Sequence, residues 1–170
     1  LEGGERVGVL GSGQGARSHG AALETLQSQL SIAQNVSAEL APLTQRGICV
    51  IASDFYTDID VVDAACAAIA ARNGHVVLLQ ICDAAEENLS WHGRVRFEDA
   101  ETPADYRLID DVDALRTTYR EKFMAHRAQL AELAARYGGT FITSVTTTPP
   151  HVTLQELVDA IAQPDTRVTQ

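Results

Sequence analysis

Apolar runs and apolar stripes divide the chain into short strands and amphipathic helices. Ile48-Cys49-Val50-Ile51 runs without a polar break and stops at Ser53-Asp54. A β-branched run this short predicts a strand covered on both faces, as inside a parallel sheet. Ile59, Val62, Cys66 and Ile69 then recur at helical spacing, so a helix is predicted over 58–72, ended by Asn73-Gly74. His75–Ile81 is a second apolar strand, ending at Cys82-Asp83. Strand, helix, strand with short links makes a right-handed βαβ unit with parallel strands. Val112, Leu115, Tyr119, Phe123, His126 and Leu130, continuing to Tyr137, trace a buried stripe on a long helix that opens near Asp111. Asp110, Asp111 and Asp113 suit the positive end of its dipole, and Gly138-Gly139 ends it. Thr140–Val145 reads as a further strand. Thr153–Ala162 reads as a last helix, with Thr153 and Glu156 as a capping box.

Upstream, Glu5–Leu10 alternates and then turns apolar, so Val7–Leu10 is expected as another strand of the sheet. Leu23, Leu26, Leu30, Ala33 and Leu40 mark one face of a helix or broken helix pair, and Pro42 and Gly47 bracket the turn that follows. Leu89, Trp91, Val95 and Phe97 alternate with polar residues around Gly93. They predict a short hairpin or meander up to Leu108, rich in acids (Glu98, Asp99, Glu101, Asp105). The expected architecture is therefore α/β: a Rossmann-like open, mostly parallel sheet with helices on both faces and a small acidic β-meander insertion. One domain should cover 1–163, with a flexible tail over 164–170.

Charge narrows the partners. With 13 Lys and Arg against 23 Asp and Glu, the net charge is −10 and the pI about 4.8. Nucleic-acid backbones and anionic membrane surfaces both call for clustered basic residues, so neither is expected as a partner. No apolar stretch approaches the ~20 residues that span a bilayer, and no basic leader with a cleavage site is visible. Cys49, Cys66 and Cys82 each sit in an apolar pattern without Cys-x-x-Cys spacing, which reads as core packing in a reducing cytoplasm.

Candidate chemistry gathers where the first apolar run ends. Ser53-Asp54 marks the carboxyl edge of the sheet, where open α/β folds place their ligands. Asp58, Asp60 and Asp63 follow, and oxygen donors of this kind suit Mg²⁺. The plainer reading makes Asp54 a helix cap and the later acids a solvated first turn. Gly11-x-Gly13-x-x-Ala16 formally matches a dinucleotide fingerprint, but Arg17-Ser18-His19-Gly20 interrupts where a helix should begin, so a loop is preferred. His126 lies on the buried stripe and reads as a hydrogen-bonded core histidine. Arg116 and Tyr119 are expected to reach the acidic meander. No nucleophile-elbow pattern accompanies any Ser or Cys.

Taken in order, these segments resemble a bacterial family catalogued as domain of unknown function 58, with a von Willebrand factor A-like fold. The resemblance rests on Glu5-Arg-Val-Gly-Val-Leu10, Ile51-Ala-Ser-Asp-Phe55, Val77-Leu-Leu-Gln-Ile-Cys-Asp83 with Glu86, Phe97-Glu-Asp99-Ala-Glu101-Thr, and Leu115-Arg-x-x-Tyr119 followed by His126. It implies a metal-ion-dependent adhesion site built from Asp-x-Ser-x-Ser after the first strand, a Thr from a second loop, and an Asp after the fourth. Asp54, beside Ser53, falls on that last position, and Ser18 stands near the second loop. The resemblance places Leu1 where the second strand should start, so the first strand, its Asp-x-Ser-x-Ser loop and the first helix are expected to be missing. Mg²⁺ would be the cofactor. The implied role is a non-enzymatic binding module that works with a MoxR-type AAA+ ATPase, or with a client protein, in assembly or maturation of other proteins. Exposed strand edges imply a homodimer. The alternative is a nucleotide- or small-molecule-binding enzyme using Gly11–Ala16 and Asp54.

Overall fold

The computed structural model describes residues 47–98 and 106–162. Val7–Leu10, the Gly11–Ala16 loop, Ser18, the 21–40 helix, the acids Asp99, Glu101 and Asp105, and the 164–170 tail lie outside the described residues. So does any boundary they would set.

Three strands form a parallel sheet in the order β1 (Ile48–Ser53), β2 (His75–Cys82), β5 (Thr140–Val145). In register, Cys49 faces Val76, Val77 faces Thr140, and Leu79 lies opposite Ala52 on one side and Ile142 on the other. Helix α1 (Ile59–Ala70) connects β1 to β2, as the spacing of its apolar residues predicts. Asp58 is its N-cap, accepting from the Asp60 amide, and Asn73 turns the chain out of it with φ +55°. The long helix α3 (Val112–Arg136) starts from an Asp111 cap and ends before Gly138, whose φ of +69° suits a residue without a side chain.

The core has two sides. On one, Cys49, Val76 and Leu78 meet Val62, Cys66 and Ile69 of α1 and Leu130, Leu133 and Ala134 of α3. On the other, Val77, Leu79 and Ile142 are covered by Leu157 and Ala160 of α4 (Pro150–Ala162). The structure is thus mixed α/β, with a mostly parallel sheet between helices. Gly139 is a tight passage: a Cβ there would come within 2.3 Å of the Val76 side chain, so only glycine lets the chain enter β5 beside β2.

Several expectations change. Among the described residues the first apolar run is covered on one face only, since Ile48 and Val50 stand 37% exposed while Cys49 is buried. Among the described residues β1 is the edge strand, and the cover provided by α4 falls on β2 and β5. Leu115 is 44% exposed, so the buried stripe of α3 lapses there between Val112 and Phe123. The last helix begins at Pro150, three residues before the expected cap. Proline is well suited to a first helical turn, and Thr153 is instead buried inside the helix, bonding Ser144 Oγ at 2.8 Å. A short helix not read from the sequence, α2 (Ala84–Asn88), follows β2, and Leu89 ends it with φ +47°.

The expected hairpin is present as β3 (Val95–Glu98) antiparallel to β4 (Tyr106–Ile109), a separate two-stranded ribbon. Trp91 packs edge-on against Phe97, with ring centroids 5.5 Å apart. Side chains at the head of α3 tie its base. Arg116 donates to the Leu89 and Trp91 carbonyls, and Asp113 accepts from the Gly93 amide and holds His92 and Arg116. Arg116 thus reaches the start of the expected meander, at Leu89 and Trp91, whereas Tyr119 turns to Tyr56 and Phe123.

Candidate functional site at the carboxyl edge

β1 and β2 run parallel, so their carboxyl ends deliver two aspartates to one edge of the sheet. They are used differently. After β2, Asp83 forms a full capping box with Glu86: its Oδ1 accepts from the Ala85 amide at 2.8 Å, and Glu86 accepts from the Asp83 amide at 2.9 Å. Its Oδ2 accepts from the Thr146 hydroxyl at 2.7 Å, which joins this turn to the one after β5. These donors, Thr146 first and then Ala85, hold the Asp83 carboxyl below the usual carboxylate range.

After β1 no helix starts at once. Asp54 Oδ1 accepts from the Tyr56 amide at 3.0 Å, an Asx turn, and from Ser53 Oγ at 3.3 Å. Ser53 Oγ in turn accepts from the Phe55 amide at 3.1 Å. Between them Phe55 adopts φ +59° and drives its ring into the core, 2% exposed, while Asp54 and Tyr56 face solvent. Helix capping, the plainer role read for Asp54, belongs to Asp58. Asp60 is exposed at the start of α1, and Asp63 accepts from the Tyr137 hydroxyl at 2.7 Å.

Distant residues hold the turn. Gln80, 1% exposed within β2, donates from Nε2 to the Asp54 carbonyl at 3.1 Å. Arg127 on α3 donates from Nε to Gln80 Oε1 at 2.8 Å, from Nη2 to Cys82 Sγ at 3.0 Å, and from Nη1 to Glu87 of α2. Its guanidinium lies over the Phe123 ring, 4.6 Å from the centroid. His126 Nε2 donates to the Phe55 carbonyl at 3.0 Å, so it is hydrogen-bonded as expected but half-buried rather than in the core, and that bond fixes the proton on Nε2. Tyr119 stacks on Phe123 and meets the Tyr56 hydroxyl at 3.3 Å. Partial desolvation of its hydroxyl, then the hydrogen bond with Tyr119, push the Tyr56 phenol well above its usual range although the ring stays exposed.

The sequence reading did not pick out Gln80, Glu87 or Arg127. Gln80 carried the one visible signal, an amide inside an otherwise apolar strand, because a buried polar group calls for partners. The cysteines are free and buried, as expected, and burial pushes the Cys49 and Cys66 thiols to about 11. Burial raises the Cys82 thiol too, against the opposing effect of Arg127.

For a cation, the edge offers hard oxygen donors of the kind Mg²⁺ takes: the Asp54 carboxylate with the neighbouring Ser53 hydroxyl. Among the described residues no group of three His, Cys, Asp or Glu is placed to hold a metal. Ser18 lies outside the described residues. No described helix is long and apolar enough to cross a membrane.

No curated protein matches the chain. It is similar to an uncharacterized membrane spanning protein from Vibrio fischeri, known from a crystal structure. The two share 12% identity and a TM-score of 0.33, over 84% of this chain and 52% of that one. The chain thus spans about half the length of that protein. The family described as "Protein of unknown function DUF58" matches residues 3–129, and this chain belongs to it.

Proposed function

We propose that this chain is a non-enzymatic protein-binding module of von Willebrand factor A-like fold, working with a MoxR-type AAA+ ATPase in the assembly or maturation of other proteins. The observation that carries the reading is the state of Asp54. Its carboxylate is exposed at the carboxyl edge, held by Oδ1, and among the described residues nothing bonds its Oδ2. A carboxylate fixed on one oxygen and open on the other is suited to meeting a ligand. Asp54, with Ser53 and with Ser18 from outside the described residues, would hold Mg²⁺, which supplies an open coordination position for a carboxylate of the partner. Tyr56 beside it adds an exposed aromatic surface of the type enriched at protein interfaces. The β1 edge, unpaired among the described residues, is a second proposed contact, between two copies of the chain.

The test is calorimetric titration of the complete protein with the ATPase in Mg²⁺ and again in excess chelator. Binding that weakens at least tenfold in chelator supports the reading. Equal binding in both removes the cation from it, and no binding in either removes the partner. A thermal-shift series with NAD, ATP and Mg²⁺ separates the enzyme alternative, because a ligand of the folded state raises the melting temperature. Stabilisation by a nucleotide alone contradicts the binding-module reading.

A further inference from the structure

Phe55 occupies a region of backbone space that bulky side chains rarely enter, and such a residue persists only where its surroundings over-determine it. Two of the bonds that hold it are local: Ser53 Oγ to the Phe55 amide and Asp54 Oδ1 to the Tyr56 amide. These alone would leave the turn attached to nothing but its own strand. The other two come from across the fold and take successive carbonyls. His126 binds the Phe55 carbonyl directly, and Gln80 binds the Asp54 carbonyl while Arg127 fixes the Gln80 amide from its other end. Gln80 could not turn its amide over without placing its NH₂ against the Arg127 Nε–H, a donor against a donor. Arg127 is itself anchored on Glu87, Cys82 and the Phe123 ring. Two adjacent residues of α3 thus set the direction of both peptide groups that flank Phe55.

We infer that His126 and Arg127 are positioning residues of the Asp54 site, which fix the Ser53–Tyr56 turn before any ligand arrives. This rests on the reading of Asp54 as the binding carboxylate. The site is then preformed, so binding does not pay again for ordering the turn. The side chains that set it lie on α3 and act on the turn's backbone carbonyls, directly from His126 and through Gln80 from Arg127, not on the Asp54 carboxylate. Their effect on binding would be indirect, through the angle at which Asp54 and Tyr56 leave the sheet.

The test is amide hydrogen exchange, read by NMR on the whole chain without any partner. His126→Phe removes the donor, and His126→Gln keeps a side-chain N–H that can reach the same carbonyl. The expected result is exchange at the Phe55 and Tyr56 amides at least tenfold faster in His126→Phe, with Val77–Leu79 of β2 unchanged, and recovery in His126→Gln. Unchanged exchange at Phe55 and Tyr56 in a folded His126→Phe protein overturns the inference, as does failure of His126→Gln to restore it. Should His126→Phe not fold, Gln80→Leu is read in the same way for the Asp54 carbonyl, with faster exchange at Tyr56 expected and no change overturning the inference. Because no partner enters the measurement, failure here is distinct from failure of Asp54 to bind one.

Discussion

Asp54 and Asp83 leave neighbouring parallel strands at the same edge of the sheet, yet among the described residues one is saturated and the other is not. Asp83 spends both carboxylate oxygens inside the protein, on the Ala85 amide and the Thr146 hydroxyl, and starts a helix. Asp54 spends Oδ1 on its own turn, and its neighbours are held by residues from β2 and α3 instead. The difference separates a carboxylate that builds the edge from one that the edge presents. Position at a strand's end is common to both. What distinguishes them is where the hydrogen bonds go.

The largest effect on this arrangement is expected from Arg127, which serves both turns through Gln80 and Glu87. Arg127→Met leaves the buried Gln80 oxygen without its donor, and should cost about 2–3 kcal/mol in urea denaturation. A loss near zero would mean that Gln80 finds another partner and the two turns are not joined. Next comes Asp83→Ala, which removes a cap and the link to Thr146 together. The melting temperature should fall by a few degrees, and Thr146→Val should recover little of it. An unchanged melting temperature would show that the capping box is idle.

A third carboxylate sharpens the comparison by being saturated away from the edge. The Gly93 amide, then His92 and Arg116, hold the Asp113 carboxyl down to about 2. A depressed carboxylate stabilises above its ordinary value of 3.8, and that contribution is lost as pH falls through about 2. Trp91, the chain's single tryptophan, lies in the stretch that Asp113 and Arg116 tie down. Its fluorescence should change across that acid window, and Asp113→Asn should remove the transition. The smallest effect on stability is expected from Asp54→Asn, which keeps an oxygen for the Tyr56 amide and loses only charge. Its melting temperature should stay within about 2 °C of the parent, since exposed substitutions away from such features change stability little.

Much of the fold was legible because its signals are periodic. The apolar runs of β1 and β2, the stripe of α1 and the glycine stop of α3 each repeat often enough to be read along the chain. What escaped was either short or long-range. α2 is five residues, too few to show a helical period, although Asp83 and Glu86 three residues apart carried the sign of a capping box. An apolar run does not say how many of its faces are covered, and among the described residues β1 has one face open because the cover of α4 falls on its neighbours. The candidate site divided in the same way. Ser53 and Asp54 could be placed at the edge from the run that ends there. The Arg127–Gln80 pair, 47 residues apart, depends on α3 crossing β2 and leaves no local pattern.

The most direct measurement is a binding titration of the complete protein against the MoxR-type ATPase, run side by side for Asp54→Asn and Asp83→Asn. Asp54→Asn should lose at least tenfold in affinity with its fold intact, while Asp83→Asn, once shown to be folded, should bind as the parent does. Equal losses in both, or a loss confined to Asp83→Asn, would contradict the assignment of the binding carboxylate to the turn after β1.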